Sequence, residues 1–134
     1  MRYMLLQDYA PAANCDLPMP EWDPEEIEAH IAFQQALNEE LLSTGELVEA
    51  NGLAGPEAVR TVVWTGTGSP VITDGPFPES KEVVAGYRLV DVESEDRALE
   101  IAAKSSAAPG PKGVGMGVRI EVRRVLSAPA PEVP

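Results

Sequence analysis

The sequence predicts an α+β fold of ferredoxin-like plan, an antiparallel sheet carrying two helices on one face. Three observations predict it. Strand and helix patterns follow one another as β-α-β-β-β-α-β, and setting aside one short hairpin return leaves two β-α-β units. The 13 prolines and 11 glycines cluster at 11–24, 52–56, 66–78, 109–117 and 128–134, so they punctuate elements instead of diluting them. A length of 134 residues suits one domain, here residues 1–126 followed by a Pro/Ala-rich flexible tail at 127–134.

Each element has its own signal. Residues 2–7 (RYMLLQ) form a short apolar run fit for a buried strand. A Pro-rich connection carries Met19 and Trp22 near its end. Asp23-Pro24-Glu25-Glu26 then starts a helix: an N-cap acid, Pro at the first helical position, and acids on the positive end of the helix dipole. Ile27, Ile31, Ala32, Phe33, Ala36, Leu37, Leu41 and Leu42 supply its apolar stripe, and Gly45 stops it after about Thr44. Residues 57–64 read as a strand, Gly66 to Pro70 as its turn, and 71–73 as the return strand of a hairpin. Residues 82–91 (EVVAGYRLVD) are the strongest strand, with Gly86 marking a bulge or a close backbone approach. Ser94 caps a second helix running to about Ser106. A Gly/Pro loop over 109–117 precedes a last strand at 118–125.

Apolar residues fall on both faces of this sheet. Val118, Ile120 and Val122 share one face of the last strand, while Val83, Ala85, Tyr87 and Leu89 share one face of the strand at 82–91. Helices on one side leave the other uncovered, so a homodimer with two sheets packed face to face is expected.

Charge excludes some functions. The net charge is −12, and its distribution is lopsided: the first 59 residues hold twelve acids and one base, a net of −11, against −1 for the remainder. An acidic surface repels phosphates, so no direct nucleic-acid binding is expected. No apolar run reaches the ~20 residues of a membrane span, and no signal-peptide layout opens the chain, so a cytoplasmic protein without a membrane partner is expected. Cys15 is the lone cysteine, which excludes an intrachain disulfide; one His, one Cys and scattered acids give no metal-ligand spacing. No cofactor motif is present.

Several stretches occur together in order: Gly45-Glu46-Leu47-Val48, Gly52-Leu53-Ala54-Gly55-Pro56, the block Thr73-Asp74-Gly75-Pro76-Phe77-Pro78-Glu79-Ser80-Lys81-Glu82, Gly86-Tyr87, Ala107-Ala108-Pro109-Gly110-Pro111 and Ile120-Glu121-Val122-Arg123. With them the chain resembles the DGPF-type branch of the YCII-related proteins over residues 1–126. The resemblance implies a dimeric α/β-barrel of ferredoxin-like protomers. It also implies bacterial relatives of unassigned activity, many encoded beside extracytoplasmic-function sigma factors, and a His–Asp dyad as an active site in the wider group.

The candidate residues carry two readings each. His30, the lone histidine, lies three residues after Ile27 on the first helix. It is either a general acid or base tucked toward the sheet or a boundary residue beside Glu26 and Glu28. Asp74 either bonds its own turn or partners His30 in proton transfer. Trp22 and Phe77, with Trp64, are core or dimer packing, or the apolar wall of a pocket for a planar ligand. Lys81 belongs to a solvated face with Glu79 and Glu82, or binds an anionic group. Tyr87 is expected to face the core with its hydroxyl at the rim. The leading functional expectation is a cofactor-independent enzyme in which His30 and Asp74 move a proton in an isomerisation, elimination or cyclisation of a small molecule. The alternative is a non-catalytic ligand-sensing or protein-binding module, in keeping with sigma-factor-type regulation.

Overall fold

A computed structural model describes residues 1–8, 12–75 and 83–126. The expected tail at 127–134 and the expected site residues Phe77 and Lys81 lie outside the described residues.

The fold is α+β. Strands β1 (Arg2–Asp8), β2 (Leu47–Gly52), β5 (Val84–Asp91) and β6 (Ile120–Arg124) form a four-stranded antiparallel sheet in the order β2-β5-β1-β6. Helices α1 (Pro24–Ser43) and α2 (Glu95–Ser106) cover one face of it. Strands β3 (Arg60–Val63) and β4 (Val71–Asp74) pair only with each other, as a hairpin with its own two-stranded sheet. This corrects the expected strand assignment. The segment 57–64 does not enter the main sheet; its place is taken by Leu47–Gly52, directly after α1, which pairs with β5 from Leu47↔Val90 to Gly52↔Gly86.

Local chemistry explains the helix ends. Glu26 Oε1 accepts the Asp23 N–H at 3.0 Å, closing the first turn of α1. At the other end Gly45 adopts φ +77°, and the N–H groups of Glu46 and Gly45 donate to the carbonyls of Leu41 (2.9 Å) and Leu42 (3.1 Å), the paired bonds of a Schellman stop. Ser94 Oγ accepts the Arg97 N–H at 3.3 Å to cap α2.

Core packing follows the pleat. Tyr3 and Leu5 of β1 and Val90 of β5, with Val92 just beyond it, meet Leu37 and Leu41 of α1 and Ala98, Ile101 and Ala102 of α2, with Ile120 and Val122 of β6 against them. Leu41, Val90 and Ile101 are fully buried, each worth about 1.5–3 kcal/mol of transfer free energy. Ile31 and Leu42, placed on the apolar stripe by sequence, are instead exposed, and His30 takes an inward position on α1.

Gly86 has the role its place suggested. The β1–β5 register shifts between Gln7 and Asp8, which oppose Gly86 and Val84, so Ala85 is the extra residue of a bulge. A Cβ at Gly86 would also meet the Asn51 carbonyl oxygen at 3.0 Å. The bulge bends β5 where it borders the site.

Candidate functional site

The sheet end nearest the bulge, residues 27–38 of α1 and the loops after β1, β2 and α2 line an open cavity of about 1050 Å³. Leu5, Trp22, Ile27, Met116, Val118 and Ile120 supply apolar wall; Asp8, His30, Gln34, Asn38 and Arg88 supply polar groups. Concave, mostly apolar spaces with few polar groups are where small molecules bind.

Three of the polar groups come from one helix face. His30, Gln34 and Asn38 recur at every fourth residue of α1, so they stack in a row beside Leu37 and Leu41. Arg88 reaches them from β5, between core positions Leu5 and Val90. Its Nε donates to Asn38 Oδ1 (2.8 Å), its Nη1 to Ser105 Oγ (2.9 Å), and its Nη2 to Gln34 Oε1 (2.5 Å) and the Gln34 carbonyl (3.3 Å). Burial pushes the Arg88 pKa below its ordinary value, yet a guanidinium keeps its proton in proteins.

His30 is 6% exposed. Its Nδ1 lies 3.0 Å from the carbonyl oxygen of Pro109, and its Nε2 lies 3.4 Å from the Gln34 amide nitrogen. The Pro109 loop is itself held to α1, because Glu26 Oε2 accepts the Lys112 N–H, at a residue with φ +62°. Trp22 stands edge-on to the imidazole, ring centroids 5.6 Å apart and planes at 79°, with its Nε1–H on the Leu17 carbonyl at 2.8 Å. One acid at the bulge completes the group. The Asp8 side chain is 1% exposed, neither oxygen takes a hydrogen bond among the described residues, and Arg119 Nε lies 3.6 Å away.

Among the sequence candidates, His30, Trp22 and Tyr87 border this cavity. Tyr87 alternates with Arg88 onto the sheet face away from the helices, where its hydroxyl donates to Glu49 (2.9 Å) and accepts from Asn51 (3.0 Å). It was expected to face the core. Asp74 is not brought to His30 within the protomer. It ends β4 on the hairpin, outside the cavity, with a side chain 92% exposed and an ion pair to Arg60 at 3.4 Å. Asp8, Gln34, Asn38, Arg88 and Ser105 are additions that sequence reasoning missed. The signals were present: a charge on the inward side of the strongest strand, and a polar row at helical spacing. Among the described residues, no group of three or more His, Cys, Asp or Glu side chains could hold a metal ion, and no helix is long and apolar enough to cross a membrane.

The model of the YCII-related domain matches residues 1–123. An uncharacterised protein of Rhizobium meliloti (strain 1021) is 32% identical over 81 residues, which span 60% of this chain and 64% of that protein's length.

Proposed function

This chain belongs to the YCII-related domain family, and on that premise we propose that it is a cofactor-independent enzyme doing acid–base chemistry on a small organic molecule. One observation carries the reading: the lone imidazole is buried in a cavity wall with one nitrogen anchored and the other loosely held. With its Nδ1–H on Pro109, the His30 ring offers Nε2 as the basic atom. A C–H acid bound beside it gives its proton to Nε2. Returning that proton at another carbon is an isomerisation; departure of a neighbouring group with the bonding electrons is an elimination. Asp8 takes, in this reading, the second role that the sequence suggested for Asp74, since it borders the same cavity and its buried oxygens take no hydrogen bond among the described residues.

The same reading places the site in a homodimer of ferredoxin-like protomers, the dimeric barrel expected of the family. Val62, Val63, Trp64, Val71 and Ile72 leave the hairpin exposed and apolar, and a two-stranded hairpin is marginal without something to pack on.

Proton exchange tests the enzyme reading directly. A panel of small carbonyl acids, lactones and their neutral analogues is incubated with the protein in D2O and followed by NMR. Deuterium entering a C–H position with wild type and not with His30→Asn supports it. A compound that binds in the cavity without exchange favours the ligand-sensing module instead.

A further inference from the structure

We propose that Arg88 is the anchor for the carboxylate of a small organic acid, and that Gln34 couples its arrival to His30. The proposal rests on the cavity being the substrate site and names the class of substrate.

Among the described residues, Arg88 is a buried cation without an acid. Its residue is 8% exposed, and its four hydrogen bonds there all go to uncharged acceptors. Those bonds use one N–H of Nε, one of Nη1 and both of Nη2, so the second Nη1–H takes part in none of them. Arg97 shows the usual solution in the same protein: at the outer end of α2 it grips Glu46 through two bonds of 2.8 Å. Taking a charge out of water is costly when no opposite charge meets it. The chain has 22 acids, yet no described carboxylate forms an ion pair with Arg88. A ligand that brings the missing charge accounts for that cost, because Arg88 lines the cavity.

The shape of the donor and its surroundings define the anion. A planar fork matches a planar carboxylate. Asp8, Asp16 and Glu57 also border the cavity and oppose a second negative charge, which disfavours a phosphate dianion. The apolar wall from Leu5, Trp22 and Ile27 takes the rest of the molecule.

Gln34 gives the anchor a consequence. Its amide oxygen accepts from Arg88 and its amide nitrogen faces His30 Nε2. A carboxylate arriving at Nη2 displaces the amide oxygen, and the amide nitrogen leaves His30 with it. The base is uncovered when, and because, an acid is bound.

The test uses the full chain with benzoate and phenylacetate as probes, their amides as neutral isosteres, and inorganic phosphate. Binding is followed by NMR, including the Nε–H resonance of Arg88. We expect the carboxylates to bind at least about tenfold more tightly than the amides and to move the Arg88 resonance, with the preference lost in Arg88→Lys. Equal binding of acid and amide, tighter binding of phosphate, carboxylate binding that leaves the Arg88 resonance in place, or no carboxylate binding at millimolar concentration overturns the proposal. The wild-type comparison stands even if a variant fails to fold. Carboxylates held at Arg88 without C–H exchange sink the enzyme reading alone; exchange in neutral compounds with no carboxylate preference sinks the anchor alone.

Discussion

Arg88 Nη2 donates to Gln34 Oε1 at 2.5 Å, and this one bond decides which way the Gln34 amide points. A guanidinium has donors only, so the amide must offer its oxygen to Arg88 and its NH2 to the other side. On that side stands His30 Nε2. The charge on a strand thereby sets the state of an imidazole one turn away along the helix row.

The neutral His30 ring is expected to be the Nδ1–H tautomer. Two independent contacts require it: the Pro109 carbonyl can only accept, and the Gln34 NH2 can only donate. A long-range 1H–15N spectrum checks this, since the two ring nitrogens separate by whether they carry hydrogen. Finding the Nε2–H form would mean that the Gln34 amide is flipped and the link to Arg88 absent.

Ser105→Ala is expected to cost about 1–3 kcal/mol, because it leaves a buried Arg88 N–H without its acceptor. Ser43→Ala is the control: its hydroxyl bonds the Glu40 carbonyl at an exposed helix end, and surface changes of that kind stay within about 0.5 kcal/mol. Urea unfolding of both variants distinguishes them. Equal, small effects would show that the Arg88 network is not closed in the way described.

What was legible in the sequence was what short-range chemistry decides. Asp23-Pro24 and Gly45 fix the ends of α1, Ser94 fixes the start of α2, and the Gly66–Gly68 turn fixes the hairpin, each through contacts within a few residues. Strand β2 was missed because LVEANG alternates weakly and follows a helix stop directly. Its stability comes from pairing with β5, some forty residues away in sequence. The same reason hid the site. His30 was legible as a lone imidazole, but Arg88 looked like an ordinary strand residue until β5 was placed under α1. Asp8 looked like the end of a strand, and only the bulge opposite it explains its burial.

Acid sensitivity is expected to run through the Glu46–Arg97 pair. Hydrogen bonding from Arg97 is the largest cause holding the Glu46 carboxyl down at about 2, with Thr44 helping and partial burial opposing. The folded-state pKa is below the unfolded one, so the stabilisation is complete above about pH 4.5 and is lost as pH falls through about 2. Glu46 and Arg97 side chains are only 15% and 26% exposed, so solvent screening leaves a contribution on the order of 2 kcal/mol. Glu46→Gln should therefore unfold more easily than wild type at pH 7, and the gap should close toward pH 2. A gap that stays constant across that range would remove the pair as its source.

Asp8→Leu is expected to keep or raise stability while removing function. A carboxylate 1% exposed with no hydrogen bond among the described residues is an expense the fold carries, and its ion pair with Arg119 at 3.6 Å offsets only part of it. Deleting the acid does not leave a buried cation behind, since the Arg119 side chain is already 60% exposed. Leucine matches the apolar wall next to it. Unfolding free energy should thus be unchanged or higher by about 1 kcal/mol. The C–H exchange proposed for this cavity should fall in the same variant. A marked loss of stability would instead make Asp8 a structural acid with partners beyond those described, and would move the second proton-handling role elsewhere.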